Sequence, residues 1–208
     1  RYPPQVRHRT GSIGRFHVQL RARHVPYVEP PWHAESVKPQ DAGEPFIDRE
    51  AAALMWAEYS NANPDRVRLC PEYTVERFGD SADLADALLH EVIHGRKRAT
   101  STLAREFLDD GQSLPRIGSH WIACDGSGTP RVILKSVEFR IGDFNSADAD
   151  FARDEGEDDR SLESWRTEHR KYWRRTETAR GRTWSEDDEI VFERFVPVWP
   201  PAHVGLRP

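Results

Sequence analysis

Apolar residues recur at helical spacing most clearly between Asp80 and Gly95. Leu84, Leu88 and Val92 fall four apart there, and Ala85, Leu89 and Ile93 widen the stripe. This predicts an amphipathic helix capped by Asp80 or Ser81, with Gly95 as a left-handed stop and His94 at the negative end of its dipole. Upstream, Asp48 to Tyr59 is rich in helix formers. Asp48 is the expected N-cap, and Leu54, Trp56 and Tyr59 supply the packing bulk. Asn61 to Pro64 breaks that helix, and residues 65–76 read as a loop or short strand. A third helix starts at Ser161, with Leu162, Trp165, His169 and Tyr172 or Trp173 on one face and Arg166, Arg170, Arg174 and Arg175 largely elsewhere.

Other stretches favour extended backbone. Thr100 and Thr102 mark Arg98 to Leu103 as extended, and Ile190 to Trp199 alternates as a closing strand. Two strands, Ser119 to Cys124 and Arg131 to Phe139, flank the turn Asp125-Gly-Ser-Gly-Thr-Pro130. No helix follows that Gly-x-Gly, so it is not a dinucleotide fingerprint. Residues 106–112 are polar and carry no clear element, and Asp148 to Ala152 read as a helical turn. Short strands with helices inserted between them predict an α+β fold, a small mixed β-barrel surrounded by helices.

Residues 1–47 differ from the rest. Seven prolines, many arginines and little periodicity predict a flexible basic arm, with one alternating patch over Arg15 to Arg21. The domain is expected over 48–199 and a loose tail over 200–208. Of the 208 residues 37% are hydrophobic and 31% charged, which fits one core with polar arms. The net charge of -5 excludes a general polycation, yet arginines concentrate between Arg166 and Arg182 while acids crowd between Asp143 and Asp159. Cys70 and Cys124 form no CxxC pair and point to reduced thiols in the cytoplasm. No apolar run has the length of a membrane span, and no signal-peptide pattern is visible, so neither membrane nor secretory routing is expected. The histidines are scattered, and neither a metal site nor a cofactor is expected.

Several short pieces in order are similar to the ASCH domain, a branch of the PUA-like superfamily. They are Phe78-Gly79-Asp80, Gly95-x-Lys97-x-Ala99-Thr100-x-x-Leu103, Leu114-Pro115-x-x-Gly118, Asp125-Gly126-x-Gly128-x-Pro130, Phe151-Ala152-x-x-Glu155-Gly156-Glu157-x-Asp159, Ser161-Leu162-Glu163-x-Trp165-Arg166-x-x-His169 and Glu193-Arg194-Phe195. Asp158 stands where the pattern usually has glycine. The resemblance implies a PUA-like barrel that works on RNA or a modified nucleoside. Some members hydrolyse N4-acetylcytidine with a lysine, a threonine three residues on and a distant glutamate. Others act as ribonucleases that cleave single-stranded RNA without a required metal. Carried over by position, these are Lys97, Thr100 and Glu155, with Glu157 the alternative carboxylate. Arg98, Ser101, Trp165, Arg166, His169 and Arg194 are the expected substrate or RNA contacts.

That set suits covalent catalysis, because a threonine hydroxyl needs a neighbouring base. A buried lysine can serve, although a nearby carboxylate opposes that role. A regular strand puts Lys97 and Thr100 on opposite faces, so a bend between them is expected. Each residue also has a plainer reading. Lys97 can be a solvated lysine, Glu155 a loop stiffener, and Trp165 and His169 packing residues. Arg166 and Arg194 can pair with Glu155, Glu157 or Glu193, or grip phosphate. The alternative function is a non-catalytic RNA-binding module, with Arg166 to Arg182 holding the backbone.

Overall fold

Four helices begin where a side chain takes up a backbone N–H that the helix leaves unpaired. Asp48 Oδ1 accepts from Ala51 N at 2.9 Å, Ser81 Oγ from Leu84 N at 3.3 Å, Asp148 Oδ1 from Phe151 N at 2.7 Å, and Ser161 Oγ from Ser164 N at 3.0 Å. Each such cap is worth about 1 kcal/mol. They open α1 (Arg49–Ala62), α3 (Ala82–Ile93), α5 (Ala149–Glu155) and α6 (Leu162–Ala179). Two short helices, α2 (Pro64–Val67) and α4 (Ala104–Asp109), complete the helical set among the described residues. This computed structural model describes residues 46–205; the predicted Arg15–Arg21 strand and nearly all of the Pro-rich arm lie outside them.

Among the described residues the strands are β1 (Tyr73–Arg77), β2 (Ala99–Leu103), β3 (His120–Cys124), β4 (Pro130–Gly142) and β5 (Ile190–Trp199). They form one sheet in the order β1-β3-β4-β5-β2, curled into a half-barrel. Only the β1–β3 pair is parallel. The chain leaves β1 through α3 and reaches β2 at the far edge, so the loop between α3 and β2 lies where the sheet is open. A register shift between Ser136 and Glu138 bends β4 where it meets β5.

The core divides by sheet face. On one face Phe78, Leu89, Val92, Trp121, Leu134 and Phe195 pack beneath α3. The other face is covered at one end by α1, through Tyr59, Ile122, Ile133 and Val198. At its other end α5 and α6 bring Phe144, Phe151, Trp165 and Trp173 onto Leu103 and Phe192. Trp173, Phe144, Phe151 and Phe192 are among the largest fully buried side chains, so this is a genuine core layer.

The predicted elements are present, with corrections. Of the three residues expected to pack α1, Tyr59 is fully buried and Trp56 packs against the same cluster, but Leu54 is 64% exposed and Ala52 takes its place on the buried side. Gly95 does not adopt the left-handed conformation, since α3 ends on His94 with helical backbone. A Cβ there would displace the Glu91 carboxylate, the mobile end of a side chain, and come within 3.0 Å of the Glu91 carbonyl oxygen. Residues 64–67 and 104–109 are helical, although they are too short to show periodicity. Pro201–His203 at the predicted tail make a 3-10 turn.

Candidate functional site

The resemblance places the chemistry on the loop between α3 and β2, and three backbone contacts hold that loop. Arg98 N donates to Asp154 O at 2.6 Å, Phe195 N donates to Arg98 O at 2.9 Å, and Lys97 N donates to Glu91 O at 3.2 Å. Gly156 makes the close approach possible. It ends α5 in the left-handed region, φ 76°, and a Cβ there would sit 2.8 Å from Lys97 N. The acidic loop after α5 thereby lies directly on Lys97.

Lys97 is 1% exposed. Its Nζ donates to Glu157 Oε1 at 2.5 Å and approaches the Glu155 carbonyl oxygen at 3.5 Å. The ammonium also lies 5.5 Å from the centre of the Phe78 ring. A buried ammonium without a partner costs several kcal/mol, so Glu157 is the group that makes this position tenable. Burial alone would raise the Glu157 carboxyl; Lys97 first, and His169 after it, outweigh burial and hold it below its ordinary range. Asp158 and Arg160 shape the same loop with φ of 48° and 64°. The left-handed backbone at Asp158 is the physical reason glycine suits that position.

Glu155 lies beside this pair in its own network. Ser101 Oγ donates to Glu155 Oε1 at 2.8 Å, Trp165 Nε1 donates to Glu155 Oε2, and His169 Nε2 lies 3.3 Å from the same oxygen. His169 Nδ1 is 3.0 Å from the Trp165 carbonyl, which can only accept, so Nδ1 carries a proton. The imidazole stacks on the Trp165 indole at 4.3 Å between centres. The structure thus joins Ser101, Glu155, Trp165 and His169 in one cluster and Lys97 with Glu157 in another, the two touching at the Glu155 carbonyl.

Thr100 does not join either cluster. It alternates with Ala99 and Ser101 along β2 and stands opposite Glu193 of β5, on the sheet face that carries α3. Lys97 precedes the strand and reaches that face through Phe78, which packs on Trp121 and Phe195. Arg98 is turned inward, with Nη1 donating to Val92 O at 3.0 Å and Lys97 O at 2.6 Å. Arg194 pairs with Asp154 at 2.8 Å and Glu138 at 2.5 Å rather than with Glu155, Glu157 or Glu193. Arg166 is half-buried, and its Nε has no hydrogen-bond partner among the described residues.

Two of the four arginines of α6 are held in ion pairs. Arg170 holds Glu186 at 2.8 Å, and Arg175 holds Asp80 at 2.5 Å. Beyond the helix, Arg180 and Arg182 converge with Arg105 on the fully buried Glu177, at 3.2, 2.9 and 3.2 Å. Most of the predicted basic stripe is thus paired. A surface groove runs between α3 and the acidic loop, lined by Leu84, Leu88, Arg96, Gly156, Glu157 and Arg160. It opens directly on the carboxylate that holds Lys97. Among the described residues no three His, Cys, Asp or Glu side chains are arranged to hold a metal ion. No helix among them is long and apolar enough to cross a membrane.

Glu193 is the residue that the motifs underrate. It is buried, accepts from Ser136 Oγ, and has its carboxyl pushed up to about 7, by burial and then by Glu76. Its sequence signal is a single acid on the inner side of an otherwise apolar closing strand.

The comparisons agree with this architecture. The ASCH domain profile matches residues 74–198. The crystal structure of an ASCH domain from Lactobacillus crispatus JV V101 superposes with a TM-score of 0.66 at 24% identity, over 73% of this chain and 96% of that one. A crystallised protein of Enterococcus faecalis V583 gives 0.62 at 23%, over 72% and 89%. No curated protein matches the chain. The profile match covers more than half of the sequence, and the barrel, the Lys97 loop and the acidic loop all fall within it: the chain belongs to the ASCH domain family, a PUA-like family often linked to RNA.

Proposed function

We propose that this protein is a metal-independent hydrolase of a modified pyrimidine nucleoside, N4-acetylcytidine or a close acyl analogue. The observation that carries the reading is Lys97, buried yet held by a carboxylate that borders a groove. Such a position gives a lysine a low-dielectric setting and a proton partner, both of which a catalytic lysine uses. In this reading Glu157, hydrogen-bonded to Nζ at 2.5 Å, takes up the Lys97 proton, an uphill transfer because Lys97 itself holds the Glu157 carboxyl below its ordinary range. Lys97 passes one proton to Glu157 and takes the proton of Thr100 as its oxygen attacks the acetyl carbon. The C–N4 bond then breaks, Lys97 returns a proton to the leaving nitrogen, and water releases acetate from Thr100. Glu155, fixed by Ser101, Trp165 and His169, positions the loop on which this exchange depends.

The second reading is a non-catalytic RNA-binding module. It is favoured by Arg96 and Arg160 along the groove, and opposed by the pairing of Arg170 and Arg175, two of the four α6 arginines. The test is incubation with N4-acetylcytidine and with labelled single-stranded RNA under chelation, beside Lys97→Ala and Thr100→Ala. Release of cytidine that is lost in both variants is expected. Undiminished turnover in both would overturn the assignment. RNA retention without product, weakening steeply with salt, would favour the binding module.

A further inference from the structure

On the face that carries α3, four strands bring polar groups to one point. Glu193 from β5 stands directly across from Thr100 of β2. Side chains so paired lie about 5 Å apart at Cβ. Ser136 of β4 donates to Glu193 Oε1. Glu76 of β1 projects to the same face, since Tyr73 and Val75 occupy the other, and its charge acts on Glu193. Asp110, following α4, adds negative charge beyond Glu76. Trp121 of β3 is 8% exposed. Its indole N–H lies close enough to favour the Glu193 anion, yet is not aligned into a hydrogen bond, and it has no partner among the described residues. An unmet buried donor is costly and is a feature to be explained.

Burial first, and the Glu76 charge after it, favour the protonated form of Glu193. The protonated carboxyl offers an O–H donor beside a C=O acceptor in one plane. Ser136 spends its hydrogen on Oε1, which leaves the proton to Oε2. Such a pair is complementary to a ring nitrogen beside an exocyclic N–H, as on cytosine. We propose that the protonated Glu193 side chain binds the N3/N4-amino edge of a cytosine-type base next to Thr100, with the Trp121 N–H as an additional donor to the ligand. This rests on the nucleoside reading above and names the group that selects its base. Thr100 and Glu76 are the half-buried members of this group.

The test is equilibrium binding of cytidine, which needs no turnover, to the full chain between pH 6 and 8. Cytidine stays neutral throughout that range. Loss of the Glu193 proton weakens binding as pH rises, by roughly tenfold from pH 6 to pH 8 for a group titrating at about 7. Glu193→Gln keeps a donor and an acceptor, so it is expected to bind cytidine with no such slope. Glu193→Leu is expected to lose at least tenfold, and N4,N4-dimethylcytidine, lacking the N–H, to bind the native chain at least tenfold more weakly. Equal pH slopes in the native and Gln forms, or no cytidine binding at pH 6, would overturn the proposal. Binding that follows these rules without any hydrolysis of N4-acetylcytidine would leave it standing and remove the hydrolase reading instead.

Discussion

Acidification is expected to destabilise this fold through one histidine. His120 sits at the start of β3, 2% exposed, with Nε2 3.3 Å from the Tyr59 hydroxyl and the Trp56 ring against its edge. Burial, and then Lys135 across the β3–β4 ladder, push it down to about 4, although the Cys70 backbone opposes them. The folded form therefore binds this proton only near pH 4, whereas the unfolded chain binds it from about 6.5. Stability is intact above the unfolded value and is lost as pH falls from about 6.5 toward 4. A gap from 6.5 to about 4 corresponds to at most about 3 kcal/mol, of which about 2 kcal/mol is lost by pH 5. That is a large share of the ~5–15 kcal/mol that keeps a domain folded. The assay is urea unfolding followed by tryptophan fluorescence at pH 7.5 and pH 5, on the native chain and on His120→Gln. The Gln form retains a hydrogen-bonding group for Tyr59 and cannot titrate, so its loss between the two pH values should be smaller by about 2 kcal/mol. Equal losses in the two proteins would refute the argument, whatever their absolute stabilities.

Glu157→Gln removes the charge that pairs with the buried Lys97 ammonium, and should cost about 3 kcal/mol in urea unfolding at pH 7. Gly156→Ala combines a left-handed backbone with a Cβ 2.8 Å from Lys97 N. It should cost at least about 2 kcal/mol and, by moving the loop, also reduce any Lys97-dependent turnover. Cys124 is buried with its thiol pushed up to about 12, while Cys70 is half-buried. A thiol-reactive dye should modify Cys70 in the folded protein and reach Cys124 only in denaturant; rapid labelling of both under native conditions would contradict this packing.

The long elements were legible because their periodicity is imposed by burial. Helix α3 shows its stripe in Leu88, Leu89 and Val92, and the turn at 125–130 declares itself by composition. Helix α4 was illegible since six residues give less than two turns, and its place is set by contact with β2. Leu54 misled for a different reason: α1 has charged and apolar residues on most sides, so its inner face is chosen by the sheet beneath it. In the site, the lysine and the acidic loop were readable as motifs. Their partnership was not, because whether Lys97 meets Glu155 or Glu157 depends on the left-handed turn at Gly156, which brings the Glu157 side chain round while Glu155 points back to Ser101 and Trp165. Glu193 needed the strand register, which pairs it with Thr100 across 93 positions of sequence.

The β3–β4 turn is a docking point for two distant segments, and this predicts an order of assembly. Asp48 N donates to Gly128 O at 3.0 Å, and a Cβ on Gly128 would strike the Phe46 backbone. Gly126 N donates to Asp86 at 2.7 Å, Gly126 O accepts from Arg77 at 3.1 Å, and a Cβ there would strike Ala82. One local hairpin thus receives the start of α1 and the start of α3, segments roughly 80 and 40 residues earlier in the chain. The loop-closure cost of those long separations falls on docking, and the hairpin can form before it. A bulky residue at Gly126 would consequently leave the hairpin intact while slowing capture of α3, whereas one at Gly128, at φ 86°, would strain the turn itself. The signature of the Gly126 change would be a folding phase in which the sheet is protected from hydrogen exchange before α3 is.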